Sequence, residues 1–250
     1  MKQVSLLILL ISSLCHGEAK VIRVGGYSFS PFVELSESGQ ASGVTIDMIE
    51  ALNKSQSKYN FVFVKTSPVD RYKDFNDGRF DLIFFEDPKW GWKNYDVFSS
   101  KVFLKGGEVY ITSMAEGKDQ SYFDSFKGKR LIGIEGYHYA LAGFNSHKET
   151  LRSKFNMSLT DAPWNLIRAI IGGDADVAIV TKSYLMKALL TRPNMKKKIL
   201  ISLKMDQEYH HKILARKNGP LTEEQVNAFL IDFERKGLAQ QLWWQYGISN

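Results

Sequence analysis

The chain has 250 residues, 44% of them hydrophobic and 24% charged, with a formal net charge of +6. That composition excludes the disordered and fibrous classes, and the length admits one large domain or two small ones. The basic residues are dispersed apart from Lys196-Lys197-Lys198, so the positive charge does not mark a nucleic-acid surface.

Met1-Lys2 leads into an apolar run from Val4 to Leu14, too short to span a bilayer comfortably. Small residues follow, with Gly17 and Ala19 as candidate cleavage points, so residues 1–19 read as a secretory signal peptide. The mature protein is therefore expected to be exported, soluble and periplasmic. Cys15 is the single cysteine and falls inside this leader, after Leu14 and not after the small residue that lipid-attachment sites resemble one another in having. The mature chain should then hold no disulfide, no thiol nucleophile and no cysteine metal ligand.

Val21 to Tyr27 predicts a short strand ending in glycines, followed by a loop through Ser30-Pro31-Phe32. Gly39 and Gly43 bracket a turn, and Ile46, Ile49 and Leu52 give helical spacing with Asp47 in the first turn. Tyr59 to Val64 predicts a second strand, and Val69, Tyr72 and Phe75 a short helix. Leu82 to Phe85 is apolar without alternation, the mark of a strand covered on both faces. Past its carboxyl end, where open α/β sheets bind ligands, comes Glu86-Asp87-Pro88-Lys89-Trp90-Gly91-Trp92-Lys93. Gly107 to Thr112 predicts a further strand.

The pattern then repeats. Leu131-Ile-Gly-Ile-Glu-Gly-Tyr137 echoes Ile22-Arg-Val-Gly-Gly-Tyr27, and Gly173-Asp-Ala-Asp-Val-Ala-Ile179 echoes Gly78-Arg-Phe-Asp-Leu-Ile-Phe84. A helix from Trp164 to Ile171, stopped by Gly172-Gly173, lies between the second pair. Two units of strand, helix and strand predict two similar α/β lobes. The C-terminal part reads as helical: Thr222-Glu-Glu-Gln225 is a capping box. Val226, Phe229, Leu230 and Phe233 form one apolar stripe, and Leu238, Leu242, Trp243 and Tyr246 another.

Taken in order, Tyr27 with Pro31-Phe32, Gly43 to Asp47, Gly78 to Asp81, Val97-Phe98-Ser99, Lys127 to Ile134, Gly173 to Ile179 and Trp243-Trp244 resemble extracellular solute-binding proteins of family 3. These are the receptors of polar amino-acid ABC importers. The resemblance implies a type II periplasmic-binding-protein-like fold, with two α/β lobes joined by a two-crossing hinge and the ligand cleft between them. Lobe 1 would be residues 20–112 plus 204–250, and lobe 2 residues 113–203. It also implies a monomer that carries a small solute to an ABC permease or a membrane sensor, without a cofactor.

The sequence departs from the family at its charge anchors. Receptors of this type resemble one another in a Thr-x-x-Arg segment before Phe-Ser, whose arginine grips the α-carboxylate. Here the arginine position falls on Trp92 and the threonine position on Lys89. The aspartate that would pair with the α-ammonium is replaced by Thr181. A free α-amino acid is accordingly a doubtful ligand.

The candidate ligand-binding residues are Tyr27, Phe32, Glu86, Asp87, Trp90, Trp92, Tyr137 and Thr181. Trp90 and Trp92 offer stacking surface for a sugar, a ring or a cationic headgroup, or else pack against the sheet. One of Glu86 and Asp87 should face the cleft, since neighbours on an extended chain point oppositely. Tyr27 and Tyr137, at the ends of equivalent strands, should face each other. Backbone N–H groups beyond Gly136 could hold an anion, and Lys89 and Lys93 could stand in for the lost arginine. His138 with Glu135 reads as a surface pair. Adjacent His210-His211 chelate a metal poorly, so no metal site is expected. Two other readings remain open. One is an exported lyase or dehydratase-like enzyme on this fold, with Glu86 or Asp87 as general base. The other is an interaction protein whose cleft is plugged by Trp90 or Trp92.

Overall fold

Runs of β-branched and aromatic residues alternate with helical spacings along the chain, and this alternation assembles into two sheets that share one strand. A computed structural model describes residues 18–248; the proposed leader lies outside them except for Glu18 and Ala19. The first unit is β1 (Lys20–Gly26), a two-stranded β2 (Glu34–Leu35) and β3 (Ala41–Ser42), then α1 (Val44–Ser55) and β4 (Tyr59–Lys65). It continues with α2 (Arg71–Asn76), β5 (Leu82–Glu86) and β6 (Val97–Ser99). After β7 (Leu104–Ser113) come β8 (Leu131–Ile134), α3 (Lys148–Phe155), β9 (Met157–Thr160), α4 (Pro163–Gly172), β10 (Val177–Thr181) and α5 (Lys182–Thr191). The long β11 (Ile199–Arg216) returns to the first unit, where α6 (Glu223–Arg235) and α7 (Leu238–Gln245) follow.

The strand order is β4-β1-β5-β11-β7-β10-β8-β9, with β6 also on β11. β1 runs parallel to β4 and β5, while β11 runs antiparallel to β5 and β7. On the far side β8 runs parallel to β10 and β9. Residues Leu82 to Glu86 are all buried, as their unbroken apolar run predicts for a strand covered on both faces.

One core holds residues of β1, α1, β4, β5, the start of β7, the end of β11, and α6 and α7. Two further cores flank the second sheet: Val109 and Ile111 of β7 pack on one face and Tyr110 on the other. Packing thus changes lobes between Leu104 and Val109, and on β11 between Ile199 and Tyr209. At that place β11 shifts register twice against β7, between Ile201 and Met205 and between Met205 and Gln207. These two strands are the crossings between the lobes.

The helix ends follow the sequence signals. Thr222 Oγ1 accepts from the Gln225 N–H at 3.3 Å while Gln225 Oε1 accepts from the Thr222 N–H at 2.9 Å, closing the capping box. α4 ends at Gly173, whose φ of 81° lies in the left-handed region. Strand β11 goes beyond the expected C-terminal helices. Its burial alternates from Glu208 to Ile213, but the charged residues between its ends mask it in the sequence. No helix of the described residues is long and apolar enough to cross a membrane.

Candidate functional site

Where the lobes meet, side chains from both close around a small enclosed cavity. Tyr27 and Phe29 come from the loop after β1, Arg71 from the first turn of α2, and Trp90 from the loop after β5. Tyr137 and His138 come from the loop after β8, and Glu108, Gln207 and Tyr209 from the two crossing strands. The cavity measures about 10 Å³, room for about one water molecule. An adjoining cavity of the same size shares Glu108 and Tyr137 with it, and Ser30, Ile134, Pro163 and Tyr184 with an open interlobe groove of about 590 Å³.

The lobes touch through specific contacts. Tyr137 Oη donates to the Ser28 carbonyl at 3.1 Å, and the Tyr27 and Tyr137 rings meet edge to face at 6.4 Å. Arg71 reaches the Gly136 carbonyl and His138 Nδ1, each at 3.4 Å. Nearer the rim, Lys187 pairs with Glu34 at 2.7 Å. Gly136 is needed here: its φ is 81°, and a Cβ would lie 2.9 Å from the Pro68 carbonyl carbon of the opposite lobe.

A polar chain runs through the wall. Trp90 Nε1 donates to Gln207 Oε1 at 2.9 Å, and Gln207 Nε2 donates to Glu108 Oε2 at 2.8 Å and to the His138 carbonyl. Glu108 is 1% exposed. Burial and the nearby Asp206 carboxylate push its pKa up to about 8, while hydrogen bonding from Gln207 and Tyr209 pulls the other way. Burial, with Arg71 alongside, depresses His138 to about 3, so its imidazole is neutral at physiological pH.

Behind this wall sits a buried ion pair. Glu86 is fully buried at the end of β5 and accepts from Trp92 Nε1 at 2.7 Å, with Arg71 Nε 3.4 Å from its other oxygen. That second approach has ion-pair distance without hydrogen-bond geometry, and both atoms lack another partner. The Arg71 guanidinium also lies over the Tyr27 and Tyr72 rings, at 5.0 and 4.4 Å from their centroids.

Of the eight residues expected from the sequence, Tyr27, Trp90 and Tyr137 line the cavity. Thr181 lines the adjoining one, beside Glu108 in strand register. Glu86 lies one layer behind. Asp87 turns away, accepting from the Lys89 and His210 N–H groups at 3.1 Å each. Phe32 stacks on Phe85 at 4.3 Å in the lobe-1 core. Trp92 is 1% exposed and packs among Tyr72, Phe75 and Tyr95. The reason lies in the backbone. Phe85 takes a left-handed φ of 58° opposite a register shift in β11, and Gly91 a φ of 82°. These bends re-aim the side chains beyond the strand, so simple alternation fails there.

Other expectations change as well. Glu135 pairs with Lys148 at 2.9 Å, and His138 is buried against Arg71 and Tyr72 instead of forming a surface pair with it. The Lys89 ammonium reaches the Glu208 carbonyl, and Lys93 is exposed. The backbone N–H groups beyond Gly136 are already taken: Ala140 and Leu141 donate to Asp206 at 2.7 and 3.0 Å, and Tyr110 Oη adds a third bond at 2.6 Å. Asp206→Ala should therefore strand two N–H groups and one hydroxyl, costing about 1–3 kcal/mol in denaturant unfolding. Hydrogen exchange at the Ala140 and Leu141 amides should accelerate; unchanged protection there would contradict the assignment. Among the described residues, no group of three or more His, Cys, Asp or Glu could hold a metal ion.

No protein-family model matches the sequence, and no curated protein matches it. Solved structures do. A mutant of the arginine-binding protein ArgBP from T. maritima superposes with a TM-score of 0.70 at 16% identity, covering 92% of this chain and 96% of that one. A periplasmic binding protein of high arginine specificity from Salmonella typhimurium gives 0.66 at 18% identity, covering 91% and 99%. A histidine kinase sensor domain with similarity to periplasmic binding proteins gives 0.70 at 12% identity, covering 92% and 96%. The chain has their fold, a two-lobed periplasmic-binding-protein-like architecture.

Proposed function

We propose that this protein is an exported solute-binding protein of the extracellular family 3 type, which closes its lobes over a small molecule. The observation that carries this reading is the enclosed cavity itself. Its wall draws on lobe 1, lobe 2 and both crossing strands, so the site is complete only when the lobes meet. A pivoting trap needs that arrangement. The closed form would be what an ABC permease or a membrane sensor reads, and the protein would act in the periplasm as a monomer.

Binding is favoured over catalysis by how the acids are committed. Glu86 is tied to Trp92 and Arg71, and Asp87 to two backbone N–H groups, so neither is a free general base. One observation favours the interaction-protein reading: Trp90 and its neighbours leave room for only about one water. A solute would therefore enter with the lobes parted and hold some of these rings aside.

The test is a thermal-shift screen of small polar and aromatic-bearing solutes, followed by small-angle scattering on any hit. A true ligand should raise the melting temperature in proportion to the logarithm of its concentration above Kd. It should also shift the scattering ensemble toward the closed form. If no solute moves either measurement, the cleft is vestigial.

A further inference from the structure

The charges around the cavity point to the class of solute, provided that the cleft binds one as proposed. Arg71 and Glu86 offset each other, and the remaining guanidinium nitrogens of Arg71 are engaged by Pro68, Gly136 and His138. Asp206 occupies the Ala140 and Leu141 N–H groups. Neither place that could receive an anionic group is free. Glu108 is different. It lies in the cavity wall, 1% exposed, and among the described residues no cation stands within ion-pair distance of it.

Around Glu108 the cavity presents five aromatic rings: Tyr27, Phe29, Trp90, Tyr137 and Tyr209. Trp90 and Tyr209 stand edge to face at 4.8 Å, and Phe29 lies 6.0 Å from each. Aromatic faces attract a cation through their quadrupoles and bury its apolar body, while a carboxylate supplies the countercharge. A buried carboxylate without a cation of its own is costly to ionise, and a cationic ligand relieves that cost.

We propose that the cleft takes a small organic ammonium ion lacking a carboxylate, a primary alkylamine or a quaternary ammonium, with Glu108 as its counter-ion. An α-amino acid would bring a second, negative group into a box where the anion-binding positions are already filled. Ionising Glu108 on cation binding releases a proton, so affinity for a permanent cation should rise with pH up to about 8. The groups facing Glu108 are Asp206 and Tyr209 on β11, Tyr110 on β7, Tyr137, His138 and Tyr139 after β8, Tyr27 and Arg71 across the cavity, and Lys89 farther off. Burial raises the tyrosines and lowers His138, so neither these tyrosines nor His138 titrates between about pH 6 and about pH 8.

Calorimetric titration of the purified protein provides the test, using 2-phenylethylamine, isobutylamine and tetramethylammonium, with phenylalanine and valine as the carboxylated partners of the two amines. At least one ammonium probe should bind, its amino-acid counterpart should bind at least about tenfold more weakly, and Glu108→Gln should weaken the probe by at least about tenfold. The pH dependence of tetramethylammonium binding to the unmodified protein gives a readout that does not depend on how the variant folds. Tighter binding of the amino acids, undiminished binding by a folded Glu108→Gln protein, or pH-independent binding of tetramethylammonium would overturn the proposal. If other solutes bind and no ammonium ion does, the ammonium proposal falls and the solute-binding reading stands. If nothing binds, both fall.

Discussion

Arg71→Met is expected to destabilise the protein by about 3–5 kcal/mol, the cost of leaving a fully buried charge without its partner. Glu86 has no exposed surface and Arg71 only 1%. Desolvation already raises the Glu86 carboxyl, and Arg71 and the Trp92 indole are the main groups opposing that rise. For a chain of this size the loss corresponds to a fall in melting temperature of about 10 °C. The companion variant is informative: Arg71→Met combined with Glu86→Leu removes both charges and should recover most of the loss. If the single variant melts within about 1 kcal/mol of the parent, the pair carries little weight and the 3.4 Å approach is incidental.

The second large effect is a dependence of stability on pH that runs opposite to that of the buried histidines. Glu108 is raised from 4.5 to about 8 in the folded protein. Between those values the unfolded chain has lost the proton that the folded chain keeps, so stability falls as pH rises and levels off above about 8. The full span amounts to a few kcal/mol. His138 and His211 are depressed to about 3, so between about 3 and 6.5 the unfolded chain binds the extra protons and stability rises with pH. Comparing parent and Glu108→Gln by denaturant unfolding from about pH 5 to about pH 9 cancels the histidine contribution. The difference should show a downward slope that belongs to Glu108 alone; parallel curves would refute its raised pKa.

Much of the fold was legible because it rests on local patterns. The unbroken run Leu82 to Phe85, the paired glycine-tyrosine strand ends and the capping box at Thr222 each act within a few residues, and the structure uses all three. The site was less legible, since its partners meet only through the fold. Arg71 and Glu86 are fifteen residues apart on different elements, and nothing in their spacing announces a pair. The expectation that one of Glu86 and Asp87 faces the cleft rested on alternation, which the left-handed Phe85 breaks. One signal was available: Glu108 directly precedes the apolar run from Val109 to Ile111, and a lone carboxylate in a buried strand requires a reason. Asp206 occupying the Ala140 and Leu141 N–H groups had no signature at all, because those groups and their partner lie over sixty residues apart.

Glu108 faces Thr181 on one side and Gln207 on the other, beside the register shift in β11. That places it at the fulcrum of the two lobes, where atoms travel least when the jaws swing. Tyr27 and Arg71 ride on one arm and Tyr137 and His138 on the other, so they separate on opening. If the cleft takes an ammonium ion as proposed, capture would have a built-in order: the solute's charge would meet a stationary counter-ion first, and the Tyr27 and Tyr137 rings would close on it afterwards. Association would be governed by the fulcrum, and residence time by the arms.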